Sequence, residues 1–357
     1  MKVNIVSTFN RNCGIGQYTE QLSQKLVSTD TAIQTFRKDG PTSELFHPYP
    51  YRSLRSWQHR VAPFFLKQAI AKASADLWHA DYVSAHQALT WADKKQPRVV
   101  TVHDAIPFHH PGNSLDFRIY KWQMKQAIAH AEYLITVSES ARKDLIEQTR
   151  VSPSRVVSIP NGIDTDRFEV PAQTSAHEVF KIRYLGGLGA THKNVPLLLY
   201  MAHQLEQEGV RFSLELGGYL PAQHPLRDLA RKLGLNAVSF PGFIPDEQKA
   251  SFLAEADLFV FPSLMEGFGF PPMEAMAAGT AVLASRIPVF EELLGDAALL
   301  VDPSPKWFAR GVRDMMESQT LKKELASKGN EHVRQYSWER TAEKTREGYH
   351  QAVHQNH

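Results

Sequence analysis

The chain of 357 residues has a single cysteine, no excess of charge of either sign and no apolar run near the ~20 residues that a bilayer-crossing helix needs. A lone Cys13 excludes an internal disulfide framework and a multi-cysteine metal site, and it fits a reducing cytosol. Met1–Ser7 is too short an apolar stretch for a signal peptide, so export is not expected. With 40 Lys and Arg against 38 Asp and Glu, composition gives no ground for a nucleic-acid partner. Internal repeats and low-complexity tracts are also missing. What remains is a chain long enough for two domains with real cores, expected in the cytoplasm.

Short apolar runs alternate with longer helical patterns in both halves. The runs are Val3–Ser7, Ala32–Phe36, Leu77–His79, Val99–Val102, Tyr133–Val137 and Val156–Ile159, then Lys181–Leu185, Ser213–Leu216, Ala237–Phe240, Leu258–Phe261, Ala281–Ala284 and Ala298–Val301. Strands separated by helices require right-handed crossovers, which predicts an α/β protein with two doubly wound parallel sheets. Asn161-Gly-Ile-Asp164 is a turn signal, and Val170–His177 is polar and without periodicity, so the hinge is expected there. The expected division is an N-terminal domain over 1–167, a linker over 168–179 and a C-terminal domain over 180–336. A closing helix over 337–357 starts from a Ser337 cap signal.

The most informative segment runs from Phe261 to Glu274, where two carboxylates stand eight positions apart around a Gly/Pro turn. Asp257–Phe261 reads as a buried strand, Pro271 and Pro272 suit the first turn of a helix, and Glu274–Gly279 reads as a small-residue helix closed by glycine. Glu266 then lies in a loop at a strand's carboxyl end, where open α/β sheets bind ligands. Glu274 is expected in the first helical turn, where the helix dipole favours an ionised carboxylate. Gly186-Gly-Leu-Gly189 follows a predicted strand and precedes a helix near Val195, so its amides could face an anion, with Lys193 adding a cation. A plain tight turn is the alternative for that loop. His103 stands just beyond the strand Val99–Val102, and no second cluster with ligand spacing supports a metal site. Gly14-Ile15-Gly16 opens the first helix. It is not a dinucleotide fingerprint, because position 19 is Thr where the third glycine belongs.

Glu266 and Glu274 with Gly267-Phe268-Gly269-Phe270-Pro271 between them resemble the signature of retaining GT-B glycosyltransferases, specifically glycosyltransferase family 4. Cys13–Gly16 with Tyr18, Thr101–Asp104, Thr136–Ser140, Ile159–Asp164 and Tyr184–Gly186 through Lys193-Asn194 follow in the order that family uses. The resemblance implies two Rossmann-like domains facing across a cleft, with the C-terminal helix crossing back to the N-terminal domain. It implies transfer of a hexosyl group, of mannosyl or glucosyl type, from a nucleotide diphosphate sugar to an acceptor hydroxyl of a glycan, glycolipid or small metabolite. Configuration would be retained and no metal required. Glu274 would hold the ribose; Glu266 and the amides of Gly267, Phe268, Gly269 and Phe270 would address the sugar. Gly186, Gly187, His192 and Lys193 would face the diphosphate, His103 the reacting centre, and Gly14, Ile15 and Gly16 would form the acceptor and phosphate loop. One departure stands out: the family's arginine near the lysine is absent, since positions 187–192 read Gly-Leu-Gly-Ala-Thr-His. His192 substitutes for it as a donor, another cation completes the clamp, or His192 merely caps or faces water. Phe268 and Phe270 read as packing residues.

An aromatic and basic stretch through Tyr49, Tyr51, Arg52, Arg55, Trp57, Arg60, Phe64, Phe65 and Lys67 suits contact with the inner membrane face. An amphipathic helix with aromatics inward and charges in water is the stronger of the two readings. Rival functions are a non-catalytic nucleotide-sugar-binding protein of the same fold, and a hydrolase or phosphorylase that needs no nucleotide donor. UDP against GDP, the oligomeric state and the acceptor stay open.

Overall fold

The computed structural model describes residues 1–11, 13–51, 58–109, 115–169 and 179–354. The chain divides into two compact units, one formed by Met1–Gly162 with Tyr336–His357 and the other by Ile163–Gln335. Part of the expected hinge, Val170–His177, lies outside the described residues.

Unit 1 is built on β1 (Lys2–Val6), β2 (Ala32–Arg37), β3 (Phe46–Pro48), β4 (Leu77–Ala80), β5 (Arg98–Val102), β6 (Tyr133–Thr136) and β7 (Val156–Ser158). They pair in the order β3-β2-β1-β4-β5-β6-β7, every pair parallel. Unit 2 contains β8 (Phe180–Leu185), β9 (Phe212–Gly217), β10 (Val238–Gly242), β11 (Leu258–Phe261), β12 (Val282–Ser285) and β13 (Leu299–Val301), ordered β10-β9-β8-β11-β12-β13 and again parallel throughout. Each residue of β4, β6, β11 and β12 is buried, as expected of parallel strands covered by helices on both faces.

All twelve expected strands are present. The addition is β3, three residues ending in Pro48 at the edge of its sheet. It is too short to show periodicity, and its proline is tolerated only because edge strands can spare a donor. Pro241 in β10 uses the same exemption.

The C-terminal helix Trp338–His354 belongs to unit 1. Ser337 Oγ accepts from the Arg340 amide as its cap, Thr341 Oγ1 donates to the Pro160 carbonyl at 2.8 Å, and the Arg346 guanidinium reaches the Lys25 carbonyl. A methyl group on Gly162 would meet the Trp338 backbone at 2.2 Å, so only glycine lets these segments touch. Inside, a buried polar chain runs from Tyr18 Oη through Thr101 Oγ1 and the His79 ring to Tyr349 Oη, in steps of 2.9, 2.8 and 2.7 Å. It satisfies groups that would otherwise cost free energy to bury.

Candidate active site

Both sheets reverse strand order at one place, between β1 and β4 in unit 1 and between β8 and β11 in unit 2. In open α/β sheets, ligands usually bind outside the carboxyl ends of the strands at such a reversal. Lys193 and Glu266 stand on the two loops that flank the reversal in unit 2.

After β8 the chain passes through Gly186–Ala190 into a single turn at Thr191–Lys193. Asn194 then adopts the left-handed conformation at φ 52°, which asparagine tolerates better than most residues, and Pro196 starts the next helix at its first position. This turn aims Lys193 at the loop after β11. Its Nζ lies 2.6 Å from Glu266 Oε1 and 5.1 Å from the Phe261 ring centroid. The side chains are 18% and 8% exposed, so the pair sits at the edge of the protein interior. The Leu264 amide donates to the His192 carbonyl at 2.8 Å and fastens one loop to the other. His192 thus contributes through its backbone and is half-buried.

The glycines divide by task. The Gly186 amide donates to the Gly217 carbonyl at 3.1 Å and is spent within the fold, and a methyl group there would meet Tyr184 Oη at 2.7 Å. Gly187 is exposed with open space where a Cβ would stand, leaving its backbone approachable. Gly269 begins the helix Phe270–Ala277 at φ 93°, and a side chain there would also strike Phe290. Phe268 is buried and tilts against Phe270 at 5.2 Å between ring centroids, as packing residues do; Gly267 is buried beside it.

Glu274 departs from expectation. The helix starts at Phe270, so Glu274 is its fifth residue and not in the first turn, and no acidic residue occupies that turn. Two prolines and a left-handed glycine let the helix begin earlier than the acidic residue suggested. The helix does close as read: Gly279 at φ 74° and Thr280 donate back to the Met276 and Ala275 carbonyls, the double bond pattern of a glycine-terminated helix. Glu274 is buried, and burial raises its carboxyl above the ordinary range, while Lys249 and Arg167 pull it down and Asp246 raises it further. Arg167 and Lys249 both engage Asp246, the lysine at 2.8 Å. Hence Lys193 and Glu266 meet directly, and Glu274 answers to a separate charge cluster in the same unit. Arg167 and Lys249 are cations near a candidate ribose ligand that sequence reading missed, since nothing in their local pattern marks them. Ser263, just after β11, is also a residue that no motif marks; it is buried and its hydroxyl has no hydrogen-bond partner among the described residues.

Relief of that burial cost yields a prediction. A carboxyl whose folded pKa is raised contributes stability below its unfolded value and loses it as pH rises through the folded one. Glu274→Gln is therefore expected to melt higher than wild type at pH 8, with the gap closing at pH 5. A melting point unchanged or lowered at pH 8 would count against an ionisable carboxyl that is costly to bury.

In unit 1, His103 follows β5 and is buried, its Nε2–H donating to the Asp81 carbonyl at 3.0 Å. Tyr18 meets the ring edge-on at 4.9 Å. Burial pushes the imidazole down to about 4, against a partial rise from the Asp81 bond, so it is neutral at pH 7 and cannot act there as a cation. Asp81, at the end of β4 beside the strand reversal, was not singled out by sequence because nothing around it forms a motif. It is fully buried, with Thr19 Oγ1 donating to Oδ2 at 2.5 Å. Burial raises it to about 7, with the Ser7 and Thr19 hydroxyls opposing. Gly14 opens the helix Gly14–Leu26 in an exposed position, followed by half-buried Ile15. Gly16 serves another end: a Cβ there would overlap the Asn10 carbonyl oxygen at 2.0 Å, so the close approach is by the protein's own loop. Among the described residues no group of three or more His, Cys, Asp or Glu could hold a metal ion, and no helix is long and apolar enough to cross a membrane.

Two Rossmann-like parallel-sheet units, each reversing its strand order once, with the C-terminal helix belonging to the first unit, have the GT-B fold. Residues 13–167 match the family described as Glycosyltransferase Family 4 and residues 167–332 match Glycosyl transferases group 1. The chain belongs to glycosyltransferase family 4. It is similar to O-antigen chain mannosyltransferase B of Escherichia coli, 24% identical over 286 residues, which are 76% of this chain and 74% of that one. Among solved structures it resembles sucrose-phosphate synthase from Thermosynechococcus elongatus, with TM-score 0.80, 19% identity and 98% of each chain covered. Anabaena HepE in complex with UDP and glucose is alike at TM-score 0.80 and 18% identity, over 97% of this chain and 98% of the other.

Proposed function

We propose that the protein is a retaining, metal-independent hexosyltransferase that draws on a nucleotide diphosphate sugar bound in unit 2. The observation that carries this reading is the Lys193–Glu266 pair on the two loops flanking the strand reversal. Each charge here satisfies the other. With donor bound, the ammonium turns to the diphosphate and Glu266 accepts from sugar hydroxyls. Glu274 accepts from the ribose hydroxyls. As the glycosidic C–O bond breaks, negative charge gathers on the departing diphosphate, and a fixed cation there stabilises the transition state more than the ground state. The acceptor hydroxyl attacks from the side the leaving group vacates, and its proton passes to a departing phosphate oxygen, so no protein carboxylate is needed as base. Gly187 supplies an amide to the phosphates, and His192 remains a candidate donor in place of the family's arginine.

Unit 1 serves the acceptor in this reading. Neutral His103 acts through its remaining ring nitrogen or its carbonyl, and Gly14 and Ile15 offer backbone at a helix start. A mannosyl or glucosyl donor agrees with relatives whose names specify mannosyl transfer and with a neighbour that holds UDP and glucose. The acceptor is a hydroxyl of a glycan, a glycolipid or a small metabolite.

A thermal-shift screen of UDP- and GDP-hexoses with and without EDTA tests this, since a ligand that binds only the native state raises the melting point by mass action. One of them should stabilise the protein equally with EDTA present, and Glu274→Gln should weaken it by roughly tenfold or more, the worth of a hydrogen bond to a charged group. Stabilisation by none contradicts the reading. Binding without transfer or hydrolysis of the donor would favour a binding protein instead.

A further inference from the structure

Three helices of unit 1, Gln58–Ile70, Val83–Trp91 and Leu115–His130, lie side by side, the middle one packing against both others. Residues 83–89 of the middle helix are all buried, so the flanking helices form much of the outer surface. Leu115–His130 turns Tyr120, Gln123, Met124 and Ala127 inward. Outward it presents Leu115, Arg118, Trp122 and Lys125, at spacings of three and four that place them on one stripe. Leu115 is 53% and Trp122 47% exposed, Phe64 on the other flank is 51% exposed with Lys67 a turn further on, and Trp91 is 43% exposed. Four of the ten large apolar side chains most exposed among the described residues thus stand on these helices. The three helices carry five Lys and Arg, at 60, 67, 118, 121 and 125, against one acidic residue, Asp116, in a chain whose charges otherwise nearly balance.

The stretch from Tyr49 to Lys67 contributes only its outward end. Tyr49 is buried with its hydroxyl on the Ser7 carbonyl, and Tyr51 packs edge-on to Phe65 beneath the Lys38 ammonium. Arg52, Arg55 and Trp57 lie outside the described residues, as does the side chain of Arg60. Tyr49 and Tyr51 precede the helix Gln58–Ile70, and on that helix Phe65 is partly buried while Phe64 faces outward.

We propose that the outward stripe Leu115, Arg118, Trp122 and Lys125 of the helix Leu115–His130 docks unit 1 onto the surface of a bilayer containing anionic lipids. Tryptophan between long cations is the composition of an interfacial helix: the indole sits at headgroup depth, aliphatic stems lie along apolar surface, and the charged ends meet phosphates. The excess of cations complements a negative leaflet. This inference is independent of the donor assignment, since docking is read without nucleotide sugar.

The test is cosedimentation of the full-length protein with vesicles of phosphatidylcholine alone or mixed with phosphatidylglycerol, at low and high salt. Wild type should bind the mixed vesicles, release with salt and ignore the neutral ones. Arg118→Gln/Lys125→Gln should weaken binding on the order of thirtyfold, the loss expected for two cations at the headgroup plane. Trp122→Ala should weaken it further at any salt. Arg231→Gln/Lys232→Gln in unit 2 should bind as wild type does, and unchanged melting points would show that every variant folds. Binding to neither vesicle, equal binding to both, or a double variant as tight as wild type overturns the proposal, a protein partner for this face then being the alternative.

Discussion

Lys193→Ala is expected to lower turnover by roughly 100- to 1000-fold, the usual effect of removing one preorganised charge from the site of a developing anion. The same change leaves the Glu266 carboxylate, whose side chain is 8% exposed, without the ammonium now 2.6 Å away. A half-emptied ion pair near the interior is costly, so some stability should be lost too. Comparison with Lys193→Arg separates the effects. Arginine restores a cation with different geometry, so it should recover stability and part of the rate. Should Lys193→Ala lose melting temperature yet keep its turnover per folded molecule, the lysine is a structural partner and the catalytic role is refuted.

Mild acid should destabilise unit 1 steeply. Three histidines there are buried and held neutral, His79 and His86 pushed down to about 3 and His103 to about 4, from an ordinary 6.5. Burial is the main cause in each, with repulsion from His103 added at His79 and from Arg98 and His130 at His86. Depressed folded values mean that their contribution is complete above 6.5 and is lost as pH falls toward 3, because the unfolded chain takes up protons the folded one refuses. Asp81 works the other way: raised to about 7, it binds a proton in the folded state that the unfolded chain releases. Three protons against one leave a net uptake of up to about two on unfolding, so stability should fall by on the order of 2 kcal/mol per pH unit between about pH 6 and 5. Five of the six tryptophans, all but Trp307, lie in unit 1, so urea unfolding followed by tryptophan fluorescence reads this unit. A midpoint unchanged or raised at pH 5 relative to pH 6.5 would contradict the buried-histidine account, and His86→Gln should flatten the slope.

The strands were legible because fully buried parallel strands leave short, continuous apolar runs, and the loops between them carry Gly and Pro as punctuation. Pro48 and Pro241 show the limit: edge strands relax the pattern, and β3 left no trace to read. Within the site, Lys193 and Glu266 could be paired from sequence only because both follow strands that turn out to be neighbours in one sheet. Glu274 was found but misplaced by one helical turn, since an acidic residue after two prolines looks like a helix start whether or not the chain has already begun to coil. Asp81, Arg167 and Lys249 were invisible. Their significance comes from burial and from charges brought together across distant segments, which no local window records.

A crystal structure with the nucleotide sugar that stabilises the protein most tests the central claim directly. The account predicts the diphosphate within hydrogen-bonding reach of Lys193 Nζ, the ribose hydroxyls on the Glu274 carboxylate and the hexose against Glu266. A ligand that leaves the Lys193–Glu266 pair intact and occupies some other surface would contradict it.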